Sequence, residues 1–258
     1  MELHYDIHDG TGPYMLMVHG FLSGRAQWQV NLAALARVVR PVVIELWGHG
    51  RSPAPEEPAS YHPDTYIALF EHLRQHLGAE RWAVCGQSLG AALTMRYALT
   101  QPTRVLAHVF TNSSAAFADA AWLQARRATA QQQADDVERD GHVALEALRV
   151  HPVHARRLPP EVRDALVADA RLHTPRGIAQ TLRYTTPNAP VREHVHAMQV
   201  PTLLVCGERE QRFQAYRVFA ERTLPGLEVT GTPAGHAVNI EAADDFNTAV
   251  VDFVRRHA

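Results

Sequence analysis

Trp82-Ala83-Val84-Cys85-Gly86-Gln87-Ser88-Leu89-Gly90-Ala91-Ala92 is the stretch that decides the fold. It reads as a buried strand, a Gly-x-Ser-x-Gly turn and the opening of a helix, the context of a nucleophile elbow. A serine on so sharp a strand-to-helix turn needs small neighbours two positions to either side, because β-carbons at 86 and 90 would collide as the chain reverses. Ala91 and Ala92 let the helix close further onto the strand. A plain glycine turn would explain the same five letters without chemistry, so the reading depends on what surrounds them.

Outward from this point, short apolar runs at 14–18, 41–46, 81–86, 105–111 and 202–207 read as continuous buried strands, with a last short one at 227–230. Segments of helical spacing at 27–38, 64–77, 88–99, 211–224 and 242–256 separate them. Strand alternating with helix predicts a mostly parallel α/β sheet. From 113 to 198 the strand pattern stops, and Ala, Gln, Arg and acidic residues take over in helical register, including a helix at 161–173. The expected organisation is a core built from 1–112 and 199–258, carrying a helical cap inserted at 113–198.

Composition narrows the chemistry. The 258 residues are 46% hydrophobic with a net charge of −2, so one sizeable core is affordable and nothing in the charge asks for nucleic acid or an anionic membrane. All 25 basic residues are arginine, which excludes a Walker A lysine and a Schiff-base lysine. Cys85 and Cys206 each end an apolar run before a glycine, as buried strand ends do, and the first ten residues lack a signal-peptide pattern. A cytoplasmic protein acting on a small molecule, without nucleic-acid or membrane partners, is expected; the number of subunits leaves no mark in the sequence.

A serine hydroxyl needs a base to take its proton. Of the 16 histidines, His236 is best placed, in a loop between the last strand and the final helix. The carboxylate that orients it should follow the strand at 202–207, where Glu208 and Glu210 both stand. Glu210 is the choice, since three residues beyond the strand-ending glycine should point across the top of the sheet; Glu208 stays open. The order Ser88, acid, His236 is that of an α/β-hydrolase triad. The amides of Leu89, at a helix N-terminus, and of Phe21, after the strand at 14–18, are the expected oxyanion donors. Leu22, Gln87 and Trp122 are the expected substrate contacts.

His19-Gly20-Phe21, Glu45-Leu46-Trp47-Gly48-His49-Gly50-Arg51-Ser52, Gly86-Gln87-Ser88-Leu89-Gly90, the 201–207 strand with Glu210, and Gly235-His236 together resemble the α/β-hydrolase superfamily. Thr111-Asn112-Ser113-Ser114-Ala115 and Asn239-Ile240-Glu241 make the chain look most like its lid-bearing group, which includes 3-oxoadipate enol-lactonases and meta-cleavage C–C hydrolases. The resemblance implies an eight-stranded, mostly parallel sheet, a helical cap over the site, and no metal or organic cofactor. The sequence departs from the family at Glu210, where aspartate is usual and a proline often follows, and at Glu45 and Trp47, which are read as scaffold.

Other residues take quieter readings. His72 and His76 lie four apart on one helix, a spacing that suits a metal pair but more often marks a solvated face. His151 with His154 and His194 with His196 are read the same way, and His49 as a loop brace. Phe117 and Tyr184 are read as packing or cleft, and Arg126, Arg127 and Arg183 as solvent-facing or carboxylate-binding. The function expected is a serine hydrolase of a small ester, enol-lactone or vinylogous C–C substrate. A non-hydrolytic lyase, synthase or haloperoxidase on the same constellation, or a ligand-binding protein with negligible turnover, is the alternative.

Overall fold

The computed structural model describes residues 2–258. Strands β1 (Tyr5–Ile7), β2 (Tyr14–Val18), β3 (Arg40–Ile44), β4 (Trp82–Gly86), β5 (Val105–Thr111), β6 (Thr202–Gly207) and β7 (Glu228–Thr232) form one sheet in the order β1-β3-β2-β4-β5-β6-β7. Only β1 runs antiparallel, along β3. The helices are α1 (Leu32–Leu35), α2 (Pro63–His76), α3 (Leu89–Thr100), α4 (Ala120–Asp140), α5 (His142–Ala147), α6 (Pro160–Ala170), α7 (Pro175–Gln180), α8 (Gln211–Thr223), α9 (Val238–Glu241) and α10 (Ala243–His257).

The apolar runs form strands because both faces of the sheet are covered, and successive side chains feed opposite cores. Leu16, Val18, Val42, Ile44, Val84 and Phe110 enter one cluster with residues of α2, α3 and α8. Met15, Met17, Val43, Cys85, Val109 and Val205 enter the other, against Phe246, Val250 and Phe253 of α10. The sheet grows away from β2 in both directions, so the crevice above the carboxyl ends of β2 and β4 is the topological switch point, where open α/β sheets bind ligands.

Among the described residues the sheet has seven strands, not the eight that the family resemblance implies. The first described strand is the three-residue edge piece β1, which pairs only with β3. The helix expected at 27–38 is broken into a 3₁₀ turn at Arg25–Trp28 and the short α1. The cause is a buried amide network. Asn31 donates to the Asn239 carbonyl (2.8 Å) and to Asn247 Oδ1 (2.9 Å), while Asn239 donates to the Gln27 carbonyl (2.6 Å) and to Asn31 Oδ1 (3.0 Å). Continuing a regular helix through Gln29 to Asn31 would forfeit these bonds.

Between β5 and β6 the chain is helical, from α4 to α7, without a strand among the described residues. This segment packs on the rest through apolar clusters that join Leu22 to Ile178 and Leu182, and Ala26 and Ile240 to Val162 and Leu166, and through close polar contacts. The Asp169 carboxylate accepts from the Ala26 amide (2.9 Å), Gly50 N–H donates to His173 Nδ1 (3.0 Å), and Thr174 N–H donates to the Gly48 carbonyl (2.8 Å). Gly48, in the left-handed region at φ 71°, lies so close to Gly177 that a Cβ on either would strike the other's backbone. Arg183 braces the segment internally through Asp135 (2.5 Å) and Glu138 (2.6 Å).

Removing one member of the amide network strands the others in a dry interior. Asn239→Ala is expected to lower stability by about 3 kcal/mol, read as a lower urea midpoint with an unchanged slope.

Candidate active site

The site begins where β2 and β4 end side by side. Val18 pairs with Gly86, and the Gln87 amide donates to the Val18 carbonyl (3.0 Å). Ser88 then turns the chain at φ 52°, ψ −113°, one of two non-glycine residues with positive φ among those described. The glycines permit this. A Cβ on Gly86 would strike the Gly90 carbonyl and Thr94, and a Cβ on Gly90 would strike the Val18 carbonyl. Strain of this kind costs about 1–3 kcal/mol and persists only where the surroundings over-determine it. Here Ser113 helps, its hydroxyl donating to the Ser88 carbonyl (2.7 Å).

Leu89 opens α3, so its N–H is an orphan of the first helical turn at the positive end of the dipole. Gly20 approaches from β2 so closely that a Cβ there would contact the Gln87 side chain and lie 3.1 Å from Ser88 Cβ. Phe21 follows Gly20, and among the described residues no acceptor meets the Phe21 N–H or the Leu89 N–H. Neither amide is thus engaged by a protein acceptor.

On the opposite side, His236 Nδ1 stands 2.9 Å from Glu210 Oε2. Glu210 Oε2 also accepts from Asn112 Nδ2 (2.9 Å), and Asn112 in turn bonds both the carbonyl and the amide of Gly207 (2.9 Å each). Asn112 thereby substitutes for a peptide group where β5 ends and fixes both the tip of β6 and the acid beyond it. Burial pushes the Glu210 carboxyl up, but the hydrogen bond and charge of His236, the Asn112 amide and the charge of Arg212 outweigh it, leaving the group below its ordinary 4.5. Glu208 points elsewhere, to Arg217 (3.1 Å). Of the two carboxylates left open by the sequence, only Glu210 reaches the imidazole.

The His236 loop is held from both flanks. Glu241 accepts from the Gly235 amide (2.9 Å) and the Ala237 amide (3.2 Å), and Gln87 Nε2 donates to the His236 carbonyl (3.3 Å). Ser88 and His236 are not hydrogen-bonded to one another; the imidazole is half exposed and faces the same cavity as the hydroxyl. That cavity, about 700 Å³, is lined by Phe21, Leu22, Gln87, Ser88, Glu210 and His236 on the sheet side. Arg149, His154, Arg156, Arg157, Leu158 and Leu166 line it from the helical segment.

Of the expected substrate contacts, Leu22 and Gln87 line the cavity, and Trp122 does not. Trp122 sits in the first turn of α4, where Asp119 caps the helix through the Trp122 amide (2.8 Å) and Arg126 covers the indole at 5.1 Å. Arg183 is occupied by its two carboxylates, and Phe117 is wholly buried. His72 lies 3.6 Å from Glu2, and no cluster of three or more His, Cys, Asp or Glu side chains gathers among the described residues. Asn112, Ser113 and Glu241 were given no role on sequence grounds. Their signal in the sequence is their part in the lid-bearing resemblance, with Asn112 and Ser113 at the end of a buried strand and Glu241 five positions beyond the histidine.

The alpha/beta hydrolase fold family matches residues 13–243. The chain belongs to the α/β-hydrolase fold family. A Bacillus subtilis (strain 168) protein provisionally named a 2-succinyl-6-hydroxy-2,4-cyclohexadiene-1-carboxylate synthase is 25% identical over 246 residues, 93% of this chain and 89% of that protein. The structure of MenH from S. aureus superposes with a TM-score of 0.88 at 20% identity, covering 98% of both chains. The enol-lactonase from Burkholderia xenovorans LB400 superposes at 0.83 with 23% identity, covering 98% of this chain and 96% of its own. These two likenesses establish the fold. No helix among the described residues is long and apolar enough to cross a membrane.

Because folding holds Glu210 below its ordinary value, its contribution to stability is fully present above about pH 4.5 and is lost as pH falls through the folded value. The stability advantage of the wild type over Glu210→Gln is therefore expected to widen as pH rises from about 3 to about 5. Urea unfolding at stepped pH measures it; a constant difference would contradict the charged, paired state of Glu210.

Proposed function

We propose that the chain is a serine hydrolase of small acyl substrates, esters or lactones, that carry a carboxylate. Ser88 attacks the acyl carbon, and His236 takes the hydroxyl proton and returns it to the leaving oxygen. Glu210 holds the imidazole in the tautomer with its proton on Nδ1 and stabilises the imidazolium. The N–H groups of Phe21 and Leu89 receive the oxyanion. Water, activated by the same imidazole, then releases the acid and regenerates the hydroxyl. The observation that carries this reading is a single cavity lined by a serine on a strained turn, by Phe21 with its unpaired amide and by a carboxylate-bound imidazole, with the unpaired Leu89 amide next to the serine in the chain. The separation of Ser88 and His236 is consistent with it, since hydrogen bonds of this kind tighten when substrate is bound.

Support for the carboxylate comes from the opposite wall. Arg149, Arg156 and Arg157 line the cavity and Arg209 stands in the adjoining recess, none of them in an ion pair among the described residues. The acidic residues facing them, Glu210 and Glu241, are engaged with His236, Asn112 and backbone amides. Uncompensated guanidinium groups around a cleft attract and orient an anion. A second reading, a synthase that uses the same groups to move a proton without hydrolysis, is favoured by the name of the Bacillus subtilis relative.

A fluorophosphonate probe is expected to label the wild type at Ser88 and to leave Ser88→Ala unlabelled. Hydrolysis of short p-nitrophenyl esters should vanish in Ser88→Ala and fall by about 10²–10⁴-fold in Glu210→Gln, while Glu208→Gln stays near wild type. Labelling without turnover of any ester or lactone would favour the synthase; absence of labelling would reject both. For the arginine wall, KM for mono-p-nitrophenyl succinate is expected to rise about tenfold in Arg156→Gln/Arg157→Gln while KM for p-nitrophenyl butyrate holds. Equal changes for both esters would remove the carboxylate from the proposal.

A further inference from the structure

Two non-glycine residues have positive φ among those described, and they flank the same cavity: Ser88 at 52° and Leu22 at 55°. The nucleophile turn explains the first. Nothing in the triad explains the second, yet Leu22 immediately follows Phe21, so its bend shapes the turn that carries the Phe21 N–H. A left-handed leucine stays only where neighbours hold it.

The holding group is an imidazole with no place in the proposed chemistry. Leu22 N–H donates to His49 Nε2 (3.3 Å), while the opposite edge of that ring, Nδ1, lies 3.0 Å from the Trp47 carbonyl. A carbonyl accepts only, so Nδ1 carries the proton and Nε2 is left as a bare acceptor, the form the Leu22 amide requires. Burial, reinforced by the charges of His19 and His173, pushes His49 well below its ordinary value and keeps it in this neutral form.

The ring is itself clamped. His19 packs on one side with centroids 5.1 Å apart, anchored by the Leu46 amide on its Nε2 (3.0 Å). His173 packs edge-on from the helical segment at 5.1 Å, anchored by the Gly50 amide on its Nδ1 (3.0 Å). The Phe21 ring meets His49 edge-on at 6.1 Å. All three histidines are buried.

We infer that His49 is a positioning residue for the oxyanion donor: by accepting the Leu22 N–H it holds the left-handed bend that presents the Phe21 N–H to the reacting carbonyl, with His19 and His173 fixing its ring. The inference rests on the serine-hydrolase reading for its effect on rate, but the bend itself is measurable without turnover. The inserted segment then does more than cover the cavity, because its His173 completes the clamp.

The experiment compares wild type, His49→Ala and His49→Gln by hydrogen–deuterium exchange of residues 19–24, together with kcat and KM on p-nitrophenyl acetate. His49→Ala is expected to accelerate exchange at Leu22 and to lower kcat by about 10²-fold, the scale of losing one oxyanion donor, with KM within about twofold. His49→Gln, whose Oε1 can accept the same N–H, should recover most of both. Unchanged Leu22 exchange in His49→Ala, or a Gln variant no better than Ala, overturns the proposal. Accelerated exchange in a protein whose wild type neither turns over ester nor takes the fluorophosphonate would sink the hydrolase reading and leave the bend and its acceptor standing.

Discussion

The contact between the end of β2 and the start of α3 is the constraint on which the site depends. Val18 and Gly86 sit in register, and Gly90 lies directly against the Val18 carbonyl. That approach is closed to any residue with a β-carbon, and it is what allows Ser88 to sit in a backbone conformation that costs free energy in isolation. The cost is spread over a large structure. Parallel strands buried on both faces, the Ser113 hydroxyl and the first turn of α3 all hold the same turn, so one strained residue is carried by a core of ordinary ones.

The rest of the cavity is assembled by polar groups bridging distant parts of the chain. Asn112 ties β5 to β6 and to Glu210; the amides of Gln27, Asn31, Asn239 and Asn247 tie the segment after β2 to α9 and α10. Glu241 and Gln87 grip the backbone around His236. Each bond is modest, yet together they decide which side chains face the serine. The same logic explains why Glu210 and not Glu208 reaches the imidazole: Asn112 stands beside the first, and Arg217 draws off the second.

What the sequence made legible follows from how local its causes are. The strands at 105–111 and 202–207 are readable to the residue because continuous apolar runs bounded by turns have few other uses. Gly86, Ser88 and Gly90 are readable because sterics within five residues require them. The break at Gln29 to Asn31 is not, since its cause lies more than two hundred positions away at Asn239. Nor is β1, three residues long and paired at an edge, where no periodicity can develop. Trp122 lies outside the cavity lining for a related reason: an aromatic residue on a helix gives no sign of which way that helix is turned, and here the indole faces Arg126. Leu22 lay in plain view, but its left-handed backbone is dictated by a histidine 27 residues further on.

Gly48 and Gly177 meet main chain against main chain, one from each side of the seam between sheet and helical insert. Neither position tolerates even alanine without prising the seam apart, so the two are a matched pair in the way a key and its ward are. Exchanging the helical segment between β5 and β6 for a foreign one would succeed only if both partners of that joint travel together. Any exchange of that segment therefore has to keep bare backbone at positions 48 and 177.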